Sequence, residues 1–111
     1  MGANQDRSPE KTVTLPVVWL PEAQAELMEA HEHYNAVRPE LGERFANAVV
    51  ETAEAIAVTP LRFALVDNGR RRAGVRWFPY GLFFLVEETR VVVIACFHGK
   101  RDPKRWQQRE S

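Results

Sequence analysis

The chain is 111 residues long, 45% hydrophobic, formally neutral at pH 7, and carries one cysteine. That length suits one small core rather than two, and a lone thiol, Cys96 inside an apolar run, excludes an intrachain disulfide and suits a reducing, cytoplasmic setting. No stretch approaches the roughly 18 to 20 apolar residues that span a bilayer and the N-terminus lacks a signal-peptide core, so no membrane association is expected.

The neutral total conceals an asymmetry. Residues 1–60 hold four Lys or Arg against ten Asp or Glu, whereas residues 61–111 hold eleven against five. The basic half can meet an anionic partner or the acidic half of its own fold. The near-neutral whole is poorly suited to coating DNA, and no direct sequence-specific nucleic-acid binding is expected.

In chain order, residues 1–12 are polar with a Gly and a Pro, which predicts a disordered leader or an expression remnant ahead of a single domain over 13–111. Val13 to Leu20 is rich in β-branched and aromatic residues and ends at Pro21. It predicts a strand, placed at a sheet edge or starting late near Val17 because Pro16 lacks a donor. From Glu22 the period changes. Ala23, Leu27, Ala30, Tyr34 and Val37 recur at helical spacing, with Glu22, Glu26, Glu29 and Glu32 expected in solvent. A second stripe, Leu41, Phe45, Val49, Ala53 and Ile56, follows the interruption at Arg38-Pro39 and stops before Pro60, which predicts an antiparallel helical hairpin.

After a loop through Asp67-Asn68-Gly69, three strands are expected: Gly74 to Phe78, Leu82 to Val86, and Val91 to Phe97, joined through Pro79-Tyr80-Gly81 and Glu87 to Arg90. The order is β-α-α-β-β-β, an α+β fold with an N-terminal helical hairpin packed on a twisted antiparallel sheet and a short basic C-terminal tail or helix. The last two strands are apolar at consecutive positions, so both their faces want cover. The hairpin can cover one. The tail or a partner chain must cover the other, since a large exposed apolar patch marks an interaction site and makes a lone chain prone to aggregate.

These stretches, taken in order, resemble the RelE/ParE superfamily of type II toxin–antitoxin toxins, on its ParE-like side. The likeness is carried by the Ala-rich first helix through Tyr34, Pro39-Glu40-Leu41-Gly42 with Arg44-Phe45, and Thr59-Pro60 with Arg62. It continues through Arg71-Arg72 to Val75-Arg76-Trp77-Phe78-Pro79-Tyr80, and through His98, Arg101-Asp102-Pro103 and Trp106. The resemblance implies a toxin neutralised by a ribbon-helix-helix, ParD-like antitoxin in a higher-order complex, acting on DNA gyrase without chemistry of its own. The alternative it implies is a RelE-like, ribosome-dependent, metal-independent mRNA endonuclease.

The endonuclease reading needs proton-transfer groups and cations around a phosphorane. Arg72 and Arg76, four apart on an extended strand, share one face, with Ala73, Val75 and Trp77 on the other. His98 would supply an acid or base, with Arg101 nearby. Against this, Gly99 follows His98 where a second proton-transfer group could stand, the helices offer no Lys cluster for mRNA, and Tyr80 packs as readily as it reacts.

The protein-contact reading assigns Arg70, Arg71, Arg72, Arg76, Tyr80, His98, Arg101, Lys104, Arg105 and Trp106 to target or antitoxin. A solvated strand edge for the arginines competes with it, as does a packing role for Trp106. His31 and His33 stand two apart rather than at the i, i+4 spacing of helical zinc ligands, so neither a metal nor any other cofactor is expected. No Gly-rich phosphate loop or Ser-His-Asp order is present.

Overall fold

The computed structural model describes residues 14–99, 107 and 109. Strand β1 (Val17–Trp19) leads into helices α1 (Pro21–Val37) and α2 (Pro39–Val58), then a 3-10 turn over Pro60–Arg62. Strands β2 (Leu65–Asp67), β3 (Arg70–Gly74), β4 (Tyr80–Val86) and β5 (Val91–His98) complete the described fold. The sheet runs β1-β5-β4-β3-β2. The expected α+β hairpin-on-sheet arrangement is present, and β1 joins β5 in parallel, which makes the sheet mixed. Pro16 lies just before β1, an edge strand, where its missing donor is harmless.

Proline sets the helix starts. Both helices carry a proline in their first turn and neither has a side-chain cap. Arg38 alone connects them. Its extended backbone (φ −160°, ψ 138°) is the conformation a following proline imposes, and it closes one helix as it opens the next. The helices come so close at this corner that a Cβ on Gly42 would stand 2.9 Å from Asn35 Cβ. Ala23, Leu27, Ala30 and Tyr34 face inward as expected, but Val37, at the open end of the stripe, is 60% exposed.

Two corrections concern the basic segment. Residues 65–67, expected to be loop, form β2. Asn68 and Gly69 both have positive φ (33° and 82°), the two-residue reverse turn that matches strand twist and favours Asn-Gly. The expected strand over Gly74–Phe78 lies earlier, at Arg70–Gly74, and the chain turns over 75–79. The arginine run can form an interior strand because Arg70 reaches Asp67 and the Arg109 carbonyl, Arg71 reaches the carbonyls of Leu61 and Phe63, and Arg72 lies along the Phe83 ring, although Arg70 Nε is left without a partner.

A bulge resolves the consecutive apolar positions. Phe83 pairs with Ala95 and Phe84 with Val93, leaving Ile94 extra. Val91, Val93 and Cys96 therefore face the helices with Leu82 and Phe84, while Val92, Ile94, Ala95 and Phe97 join Phe83 on the far face. None of that far set is more than 8% exposed. Of the two covers expected for that face, tail or partner, no partner is therefore needed: these residues are already buried within the chain.

Candidate functional site

The basic residues proposed from the sequence divide among different surroundings. Arg70 is 8% exposed, not a solvated strand edge, because β2 pairs outside β3. Its Nη2 donates to the Arg109 carbonyl at 3.0 Å and its Nη1 lies 3.7 Å from Asp67. Arg71, on the helix side, donates to the carbonyls of Phe63 (2.6 Å) and Leu61 (3.3 Å) and so fastens the 3-10 turn to the sheet. Both guanidiniums are engaged inside the chain.

Arg72 pairs with Phe83 across β3 and β4 and lies on the far face, its guanidinium carbon 5.9 Å from the Phe83 ring centre. It also fills the space over Gly81, where a Cβ would stand 2.6 Å from its Nε. Arg76 leaves the strand altogether. It sits in the turn beside Glu51, Thr52 and Phe63, on the helix side. The expectation that Arg72 and Arg76 share one face fails because the strand ends at Gly74. Trp77, expected on the same face as Val75, is 74% exposed while Val75 is buried.

His98 pairs with Tyr80, the rings meeting edge to face at 5.3 Å. Tyr80 in turn meets Phe45 and Tyr34, so it belongs to an aromatic cluster on the helix side. Burial, with a lesser contribution from Tyr80, raises the Tyr34 phenol above its ordinary range. Arg72 and His98 thus lie on opposite faces of the sheet and Arg76 beyond the strand end. Arg101, Lys104, Arg105 and Trp106, with the leader over 1–12, lie outside the described residues.

The acidic α1 face holds a surprise at Glu26, expected in solvent. Strand β1 ends at Trp19, so it reaches only as far as Val93 along β5. Beyond it, Glu26 accepts the Cys96 backbone N–H at 3.1 Å, and Arg109 donates to the Ile94 carbonyl at 2.9 Å. The two side chains then pair with each other through two bonds of 3.0 and 2.9 Å. A largely buried ion pair takes the place of the missing end of β1.

Cys96 sits beneath that pair, 2% exposed. Burial, with a smaller contribution from Glu26, pushes its thiol up to about 12 from an ordinary 9.0. The thiol therefore stays protonated at neutral pH, and what it contributes to stability is lost as pH rises from about 9 toward 12. Iodoacetamide at pH 7.5 is expected to leave the folded chain unlabelled and to label it fully in urea; comparable rates in both states would contradict this burial.

The exposed apolar surface is on the helical side instead. A groove of about 480 Å³ opens between β1, α1 and α2, lined by Leu15, Val17, Trp19, Leu27, Val49 and Val50 among others. It continues past Met28 and His31 through a second hollow of about 280 Å³ that shares Leu27, Val49 and Val50. Met28 and Val50 are 61% and 55% exposed. The sequence reading missed this groove because it concentrated on strands; the signal was a second apolar residue beside the α2 stripe at Val50.

Among the described residues no group of three His, Cys, Asp or Glu is placed to hold a metal, and no helix is long and apolar enough to cross a membrane. A family model described as the ParE toxin of type II toxin–antitoxin system, parDE, matches residues 17–103. Among solved structures, the chromosomal ParDE TA system from P. aeruginosa is similar with a TM-score of 0.68 and 18% identity, covering 78% of this chain and 98% of that one. At that identity the likeness concerns the fold. No curated protein matches the sequence.

Proposed function

We propose that this chain, which belongs to the ParE toxin family of type II toxin–antitoxin systems, arrests growth by binding DNA gyrase. In this reading it is a protein inhibitor rather than a catalyst, and a cognate ribbon-helix-helix antitoxin silences it in a higher-order complex. The observation that carries the protein-contact reading is the dispersal of Arg72, Arg76 and His98. General acid–base chemistry on a phosphodiester needs its groups within hydrogen-bond reach of one reacting centre. Residues on opposite sheet faces do not offer that.

Incubating the purified chain with gyrase and relaxed plasmid is the direct test. The expected result is loss of supercoiling with accumulation of cleaved DNA. Normal supercoiling at micromolar excess, together with cleavage of translated mRNA in the ribosomal A site, would replace this function with the endonuclease.

The apolar groove between β1 and the helical hairpin supports an antitoxin seat, because it is a contiguous concave apolar surface within an otherwise polar helix face. Val50→Glu places a charge there at a position too exposed to matter to the fold, so stability should change by less than about 0.5 kcal/mol. Growth arrest should persist while co-expressed antitoxin no longer relieves it. Full relief by antitoxin would remove the groove from the interface.

A further inference from the structure

The turn between β3 and β4 breaks a local rule without a structural return. Phe78 N–H donates to the Val75 carbonyl at 3.1 Å, closing a four-residue turn around Arg76 and Trp77. Trp77 has φ +76°, as in the third position of a type II turn, where Gly or Asn is the ordinary occupant. A bulky side chain in the left-handed region is a genuine outlier. Packing does not compensate for it, since Trp77 is the most exposed of the large apolar residues described.

The turn is nevertheless held firmly. Val75 is 3% exposed and its N–H donates to the Tyr80 carbonyl at 2.8 Å. Phe78 packs on Tyr34 and Phe45, and Gly99 N–H donates to the Pro79 carbonyl at 2.8 Å. The scaffold thus presents a strained indole on a fixed mount. Strain that persists on an exposed residue points to recognition, because folding alone gains nothing from it.

The surroundings define what it can recognise. The Arg76 guanidinium lies 5.0 Å from the Trp77 ring centre and covers part of the indole. Trp77 also lines a shallow cleft of about 170 Å³ with Arg44, Asn47 and Glu51 of α2. Neither Arg44 nor Arg76 forms an ion pair among the described residues. Two unpaired arginines beside an exposed Trp are the composition of a protein hot spot. Nucleic acid fits less well, because Arg76 already covers part of the ring face on which a base would stack.

We infer that Trp77, flanked by Arg76 and Arg44, is the anchor by which the toxin grips its protein target, inserting the indole into an apolar pocket rimmed by carboxylates. This rests on the reading of the chain as a protein-contact inhibitor. It adds the contact residue, and it lies on a different surface from the apolar groove. The anchor faces the target and not the antitoxin.

The test compares Trp77→Gly and Trp77→Ala with wild type in growth arrest on induction, in gyrase cleavage-complex formation and in thermal melting. Both variants should lose growth arrest, and the concentration needed to trap gyrase should rise about 30-fold or more, the factor that corresponds to a hot-spot contact. Trp77→Gly should melt roughly 4 to 8 °C above Trp77→Ala, since only glycine relieves the left-handed strain. Growth arrest by Trp77→Gly at wild-type level would overturn the anchor while leaving gyrase inhibition by wild type intact. Arrest that needs Trp77 but leaves gyrase unaffected would instead overturn gyrase as the target and keep the anchor. A Trp77→Gly chain that fails to fold would also overturn it, by making the side chain structural, as would a wild type that leaves growth untouched.

Discussion

Replacing Glu26 by alanine is expected to remove about 3 to 5 kcal/mol of stability, the range for breaking one side of a buried ion pair. The side chains of Glu26 and Arg109 are 13% and 17% exposed, so neither charge can recover its hydration by a small shift. The loss has three parts. Arg109 keeps a buried charge without its carboxylate, the Cys96 N–H loses its acceptor, and the edge of β5 beyond β1 opens. Glu26→Gln retains an oxygen for Cys96 N–H and should lose less, about 1 to 3 kcal/mol.

A double-mutant cycle with Arg109→Ala separates the pair from its surroundings. If the two residues act as one unit, the double variant should be at least about 1 kcal/mol more stable than the sum of the single losses predicts. Urea melts measure all four corners. Additive single losses, each below about 1 kcal/mol, would show that the pair is solvated and leave the β5 edge to other groups.

How far such features were legible in the sequence depends on whether they are set by periodicity or by position in space. The α1 and α2 stripes, the proline starts and the edge placement of β1 follow from spacing and from one missing donor. Glu26 defeated the same reasoning. It sits among Glu22, Glu29 and Glu32 on an acidic face, and nothing local says that β1 will stop opposite Val93, three residues short of Cys96 along β5. Such a role becomes visible only once strand lengths are compared across the sheet.

The arginine run failed for a related reason. Arg70 to Arg72 look like a solvated edge until β2 is seen to pair outside them, and β2 is three residues long with two of them exposed. A strand that short carries no usable alternation. Asp67-Asn68-Gly69 was the available signal, because Asn-Gly favours a two-residue hairpin and a hairpin demands a strand on both sides. Once β3 is placed there, Gly74 becomes its end. Arg76 and Trp77 then fall in a turn, and the shared face on which the catalytic alternative depended disappears. The outcome for the candidate site thus follows from one misplaced strand boundary.

The aromatic cluster that fixes this turn gives the second large effect. Phe45→Ala is expected to destabilise the chain by about 3 to 5 kcal/mol, the range for deleting a buried aromatic ring and leaving its cavity. Phe45 is fully buried and its ring centre lies 5.1 Å from those of both Tyr34 and Phe78 and 5.5 Å from that of Tyr80. It therefore joins α1, α2, the turn and β4 at one point. Little local collapse is available to refill the void, because Gly42 already brings the two helices into contact one turn away.

Against a total of roughly 5 to 15 kcal/mol for a domain of this size, that loss should lower the melting temperature by at least about 12 °C. Phe45→Leu, which leaves a smaller void, should cost about 1 to 2 kcal/mol. The pair of variants also carries a functional expectation. Phe78 holds the turn from beneath, so Phe45→Ala should weaken growth arrest at temperatures where the chain is still folded, while Phe45→Leu should weaken it less. A Phe45→Ala chain within about 1 kcal/mol of wild type would mean that the ring cluster is not the joint between hairpin and sheet, and that something else positions Trp77.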